Sequence, residues 1–254
     1  MSTKQTTTSV NTFSWLSVGV SALVLCGVWY GWARYLHLDA FPTPLVAIQA
    51  FPEFLFEPDT WWALLASLSR MVGGYIWALA VAIPVGLAMG RSAFFYRLAY
   101  PIVSFFYPMP KAALMPILML WFGLGSFSKV LVIALGASLP ILFHSFIGAS
   151  RVDKKMLWAA EAMGMGYTKR LFKVVLPAAL PEIVIGCRVG MIMALIVMVS
   201  SEMIARQEGI GNLLFTSLDM AHYSMVYSVI LVLAVLGVVC DWLFELLRKK
   251  ISYE

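Results

Sequence analysis

Residues 158–181 read WAAEAMGMGYTKRLFKVVLPAALP. The stretch carries Lys169, Arg170 and Lys173, is punctuated by Gly164 and Gly166, and closes on Pro177 and Pro181. On either side lie apolar runs, approximately 127–149 and 183–205, each long enough to cross a hydrocarbon core about 30 Å thick, for which roughly 20 residues suffice. A basic, amphipathic bracket between two such runs is a loop that something outside the bilayer must grip. Working outward, four further runs lie near 14–35, 64–90, 97–122 and 223–247. Composition agrees, with 61% hydrophobic residues, 12% charged residues and a mean hydropathy of +0.87. Transmembrane strands would show short alternating segments instead of long apolar runs. The expected fold is an all-α polytopic membrane protein, one domain over 1–254 with six transmembrane helices.

The first run is retained rather than cleaved, because Lys4 is the single basic residue before it and no small-x-small site precedes Arg34. Residues 1–13, beginning MSTKQTTTS, read as a disordered tail. Cys26, Cys187 and Cys240 fall inside apolar runs without paired spacing, so neither disulfide nor metal is indicated. His144 and His222 likewise lack neighbours at ligand spacing, and no metal site is expected.

Basic residues set the orientation, because short cytoplasmic loops retain Lys and Arg. The loop between the fourth and fifth runs (151–181) holds Arg151, Lys154, Lys155, Lys169, Arg170 and Lys173; Arg91 and Arg97 flank the second turn, and Arg248, Lys249 and Lys250 follow the last run. Residues 37–60 carry four carboxylates and no Lys or Arg. Both termini and the bracket are therefore expected in the cytoplasm. Within 37–60, Thr43 before Pro44 signals a short surface helix, and Asp59 and Thr60 offer an N-cap for the next span.

The bracket itself resolves into two short helices. Asp153–Met163 places Met156, Ala160 and Met163 on one stripe and stops where Gly164 and Gly166 raise the backbone cost. A second, Thr168–Leu176, places Leu171, Phe172 and Val175 on one face, and Pro177 and Pro181 are expected to end it.

Ala159, Ala160, Gly164, Val174, Leu176 and Pro177 fall at the positions of the cytoplasmic signature Glu-Ala-Ala, three residues, Gly, nine residues, hydrophobic-x-Leu-Pro. On these residues the chain resembles the inner-membrane permeases of bacterial ABC importers. One position departs: the leading Glu is Trp158, with an acid displaced to Glu161. FPTPLVAIQAF after the first run, PMPKAALMPILMLWFGLG in the third, SEMIA at the end of the fifth and EGIGNLL beyond it look like the nitrate, sulfonate and taurine branch. The resemblance implies a homodimer of permeases, two ATP-binding-cassette ATPase subunits docked on the brackets, and an extracytoplasmic solute-binding protein, in the inner membrane. It assigns ATPase coupling to Trp158, Ala159, Ala160, Glu161, Gly164, Met165, Gly166, Tyr167, Lys169, Arg170, Leu176 and Pro177. It also makes Gly209 and Gly211, in the loop beyond the fifth run, candidates for receptor contact, although a structural turn reads equally well. No phosphate-cradling Gly-x-x-x-x-Gly-Lys-Ser/Thr is present, so no cofactor is expected in this chain, and ATP and Mg would be bound by the partner subunit. No catalytic residues and no nucleic-acid partner are expected.

Polar residues inside membrane spans are candidates for function. Lys111, flanked by Pro108, Pro110 and Pro116, sits mid-run and suits an anionic solute; the alternative is a snorkelling or structurally paired Lys. Met198, Ser201 and Glu202 are the remaining pathway candidates. Met191 and Met193 offer an adaptable lining, and Arg188 reads as structural. Gly186, Gly190 and Ala194 form a small-residue stripe that suits either internal packing or a dimer seam. A secondary transporter or channel working without an ATPase would also have six apolar runs, but would be expected to show internal repeats or mid-membrane coupling carboxylates. Neither is clear here.

Overall fold

The computed structural model describes residues 10–252, and every regular element among them is helical. Helix α1 (Val10–Leu36) has 27 residues, about 40 Å at 1.5 Å per residue. It takes in residues 10–13 of the expected tail, while 1–9 lie outside the described residues. Two short helices follow, α2 (Pro44–Gln49, N-cap Thr43) and α3 (Phe51–Phe56). Trp29 Nε1 donates to Pro42 O at 3.0 Å, and Tyr227 both stacks on Trp29 and donates to Ala40 O at 3.2 Å, which ties this surface segment to the first and last spans.

Helix α4 (Pro58–Arg91) starts six residues earlier than the apolar run suggests, with Glu57 as N-cap. Thr60 does not cap it; its hydroxyl donates to Phe54 O and Glu57 O, both at 2.6 Å, and fastens α3 to α4. The third run is broken, as its prolines imply, into α5 (Ala93–Phe106), a 3-10 turn at Lys111–Leu114 and α6 (Met115–Phe122), with an 88° bend between α5 and 111–122. Pro108 and Pro110 lack the N–H groups that would carry the helix across, which is the physical reason for the break. Then come α7 (Ser126–Ser150), α8 (Lys154–Ala162), α9 (Tyr167–Arg170), a π-helical turn (Leu171–Val175), α10 (Leu176–Ala205), α11 (Ile210–Asp219) and α12 (Tyr223–Ser252).

By length and composition, four of the described helical segments can cross a membrane, and the bent pair makes five if it is one span. Packing direction decides that it is. Gly74 lies against Val130 and Ile133, Gly86 against Leu142 and Ser145, and Gly90 against Ala149, so α4 and α7 run parallel. A chain leaving α4 at Arg91 and entering α7 at Ser126 must travel the full height of the bundle, and residues 93–122 make that journey. That gives five spans among the described residues; α1, whose Leu23, Val24 and Leu25 are exposed, has the length expected of the sixth.

Helix α7 is the central post. On its other side α10 runs antiparallel, with Gly186 against His144, Gly190 against Ile141, Gly136 against Val197 and Gly148 against Ala179. The Gly186, Gly190 and Ala194 stripe therefore serves internal packing, letting two backbones approach closely where lipid supplies no hydrophobic drive. Neighbouring glycines make the point testable. A methyl at Gly74 would lie 2.7 Å from Ile133 Cγ2 and 2.8 Å from Val130 O, whereas at Gly73 its nearest neighbour would be 3.9 Å away. Gly74→Ala is expected to lower stability by about 1–3 kcal/mol through overpacking, and Gly73→Ala to leave it unchanged or raise it by up to about 1 kcal/mol through helix propensity. Thermal unfolding of the detergent-solubilised variants checks both; equal melting temperatures would contradict the packing.

Candidate functional site

At one end of the bundle, α8 and α9 form the bracket. Asp153 caps α8 by accepting from Lys155 N at 2.9 Å. The helix closes at Gly164, φ +75°, through Met165 N to Ala160 O at 3.0 Å and Gly164 N to Glu161 O at 2.9 Å. This six-to-one and five-to-two pair needs a left-handed residue at its centre, a conformation Gly reaches at little cost. Glu161 then pairs with Arg170 at 2.7 Å, joining the two arms. Leu157 and Val175 pack into a core with Leu87, Ala149, Val152, Ala179 and Ile183.

The buried stripe of α8 is thus Leu157 and Ala160, rotated by one residue from the expected Met156, Ala160 and Met163. Met156 is 50% exposed, Met163 76% and Phe172 62%, alongside Trp158 at 65% and Tyr167 at 58%. The outward surface is aromatic and Met-rich, with Lys169 and Lys173 exposed between. A second correction concerns the prolines. Pro177 and Pro181 do not end the second helix; α9, the π turn and α10 form one helical segment, Tyr167–Ala205, of 39 residues. In the π turn Leu176 N bonds Leu171 O, one residue further back than α-helical spacing.

Midway along the bundle the broken span, α7 and α10 enclose a cleft of about 540 Å³. Tyr107, Pro110 and Lys111 come from the break, Pro140, Phe143 and His144 from α7, and Met193, Ile196 and Ser200 from α10. Lys111 Nζ donates to Phe106 O at 2.8 Å, Tyr107 O at 2.9 Å and Met109 O at 2.7 Å. An ammonium has three donors, so all three are committed to carbonyls that the break leaves without helical partners. His144 Nδ1 lies 2.9 Å from Glu182 Oε1. Nearer the bracket, Arg188 makes a two-pronged pair with Asp241 at 2.6 and 2.8 Å, fixing α10 to α12.

At the end opposite the bracket lies a buried knot of charges. Glu202, fully buried, accepts from Arg70 Nη1 at 2.9 Å, Ser67 Oγ at 2.7 Å and Gly211 N at 3.1 Å. Arg70 also donates to Ser126 Oγ at 3.0 Å and Glu208 O at 2.7 Å, and Lys129, 1% exposed, donates to Glu208 O at 3.2 Å. Ile210 N donates to Ser67 Oγ at 2.8 Å. Gly209, φ +134°, lies directly over the Glu202 carboxylate, where any β-carbon would collide with it. The knot joins α4, α7, α10 and the α10–α11 loop.

The family model described as binding-protein-dependent transport system inner membrane component matches residues 78–253. The chain belongs to this family. It is a transmembrane permease subunit of an ABC importer. The "putative aliphatic sulfonates transport permease protein SsuC" of Bacillus subtilis is 27% identical over 95% of this chain and 90% of its own length. The taurine transport system permease protein TauC of Escherichia coli is 29% identical over 93% and 88%. The riboflavin transport system permease protein RibX of Chloroflexus aurantiacus is 27% identical over 95% and 91%. Among solved structures, the MetNI methionine ABC transporter in inward-facing conformations superposes with a TM-score of 0.68, covering 77% of this chain and 99% of that one at 17% identity; it shares the fold.

In the permease, the residues assigned to coupling lie together on the bracket, from Trp158 to Pro177. The pathway candidates divide. Pro110 and Lys111 line the cleft and Pro108 lies in the adjoining turn, but Met198, Ser201 and Glu202 are fully buried on another face of α10. Ser201 donates to Met198 O at 2.8 Å. Of Met191, Met193 and Met198, Met193 reaches the cleft, where Met109 joins it. Gly209 and Gly211 are buried against the knot, and Gly209 also lines a groove beside the start of α4. Arg70, Lys129 and His144 were not singled out from sequence as functional.

Proposed function

We propose that this permease works as a homodimer with two ATP-binding-cassette ATPase subunits, which bind ATP and Mg, and that a solute-binding protein delivers its solute from outside. The bracket and both termini then lie in the cytoplasm, in keeping with the basic residues of 151–173. ATP-driven closure of the ATPases moves the brackets, and the spans alternate between two openings whose populations depend on differential binding. The observation that carries this reading is the bracket's helical continuity with α10, which also lines the cleft.

We further propose a small organic anion of the sulfonate or taurine kind as solute. Among the cleft's lining residues Lys111 and His144 are the ones that can carry positive charge and there is no Asp or Glu, while Leu139, Phe143 and Ile196 offer apolar walls. With Glu161 held by Arg170, Trp158 is the exposed residue at the signature's first position and meets the ATPase directly.

The test is co-purification and reconstitution with the ATPase, followed by Gly164→Val. Nothing lies within 4 Å of a side chain placed at Gly164, so the penalty is conformational, about 1–2 kcal/mol in the left-handed region. ATP-driven uptake is expected to fall roughly tenfold, the equilibrium factor for that strain, with the spans still folded. Uptake without the ATPase, or full uptake by Gly164→Val, would overturn the reading.

A further inference from the structure

Between the start of α4 and the α10–α11 loop, at the end opposite the bracket, lies a groove of about 470 Å³ lined by Asp59, Trp62, Glu208, Asn212 and Thr216 among others. We infer that this groove is where the solute-binding protein docks, and that it receives a basic side chain of that protein. The inference rests on the importer reading above, and its subject is where and by what chemistry the two proteins meet.

Three observations carry it. The first is charge. Asp59 and Glu208 are the ionisable residues lining the groove, and the Glu208 side chain is 87% exposed. The cations nearby face inward: Arg70 is 7% exposed at its side chain and Lys129 is 1% exposed, with donors committed to Glu202, Ser126 and the Glu208 carbonyl. A visitor from outside therefore meets carboxylates, and a concave site lined by one sign of charge focuses its field. Around it the same face exposes Asp39 and Glu57, while Arg206 pairs with Asp219 at 3.4 Å and lies over Phe215.

The second is the exposed aromatic ring. Trp62 is 72% exposed beside the two acids, and an indole face with neighbouring carboxylates suits a guanidinium or ammonium. The third is connection. The Glu208 carboxylate lies 3.7 Å from Arg70 Nη2, and its backbone carbonyl accepts from Arg70 and Lys129. A cation that engages Glu208 therefore bears on the residue that ties α4, α7 and α10 together. Docking at this groove has a direct route into the spans through Glu208, with Gly209 beside it on the groove wall.

The experiment titrates solute-loaded binding protein, the one encoded with this permease, onto the full permease–ATPase complex in nanodiscs and reads ATPase stimulation. Asp59→Asn with Glu208→Gln should raise the half-stimulating concentration roughly tenfold, chiefly through the association rate, as charged rim residues do. Basal ATPase and melting temperature should stay at wild-type values. Raising salt from about 50 to about 500 mM should weaken wild-type docking and leave the double variant much less affected, because exposed charges are screened. Trp62→Ala, an exposed position, should weaken docking without altering salt dependence. Identical titrations of wild type and double variant would overturn the docking site while leaving the importer reading intact. Absence of any stimulation of the wild-type complex would overturn both.

Discussion

Glu202→Ala is expected to cost about 3–5 kcal/mol, the penalty for leaving a buried charge without its partner. The Arg70 guanidinium would remain inside the bundle facing a void, and Ser67 Oγ and Gly211 N would lose the carboxylate they donate to. That loss is comparable with the stability of a typical domain, so little monodisperse protein should survive solubilisation. Arg70→Met alone should be similarly damaging. Arg70→Met with Glu202→Met should recover much of the loss, because an apolar pair of similar volume is close to neutral where an orphaned charge is not. Size-exclusion profiles and melting curves of the single and double variants give the measurement. Unchanged melting in Glu202→Ala would show that the knot contributes nothing to cohesion, and a double variant whose loss equals the sum of the two single losses would show that Arg70 and Glu202 are not coupled.

The second large effect is expected at Lys111. Its ammonium serves three carbonyls around the 88° elbow, and hydrogen bonds to a charged group contribute about 1.5–3 kcal/mol. Lys111→Met should lower the melting temperature and abolish uptake together, since the elbow forms one wall of the cleft. Lys111→Arg should rescue only partly, because a planar fork cannot converge on three acceptors as an ammonium does. A Lys acting solely as a solute ligand behaves differently: Lys111→Met would then raise KM and leave melting untouched. That result would return Lys111 to the role of a direct ligand.

How far the sequence could be read depends on where the information is local. Gly164, Asp153 and the cluster of Lys and Arg announce the bracket because turn, cap and charge act within a few residues; α8 begins and ends close to where it is expected, whereas the second helix begins there but runs on into α10. The face that α8 buries was one residue out, since Met156 and Met163 repeat at a helical spacing as well as Leu157 and Ala160 do. In α10 the Gly186, Gly190 and Ala194 stripe marks a packing face, but the face toward the cleft has no signal. A helix apolar all round carries no amphipathic signal, so Ser200 on the cleft and Ser201 in the core look alike in sequence. Arg70 and Lys129 went unremarked because a single charge near the end of an apolar run reads as snorkelling. The available signal was a balance of charges: two cations and Glu202 lie toward the same end of three core spans, α4, α7 and α10. The π turn was beyond reach, because prolines at 177 and 181 signal an interruption, and only the extra residue per turn shows how the helix continues past them.

That continuity makes the Tyr167–Ala205 segment a shaft with a definite angular phase. Each residue of an α-helix advances about 100°, so the direction in which the bracket presents Tyr167 and Phe172 is locked to the direction in which Met193 and Ser200 face the cleft. Removing or adding one residue between them would leave every local contact type available and yet aim the bracket's exposed face a quarter-turn away from its present direction. The π turn already houses one such extra residue, and it sets the timing between the two working faces of the shaft.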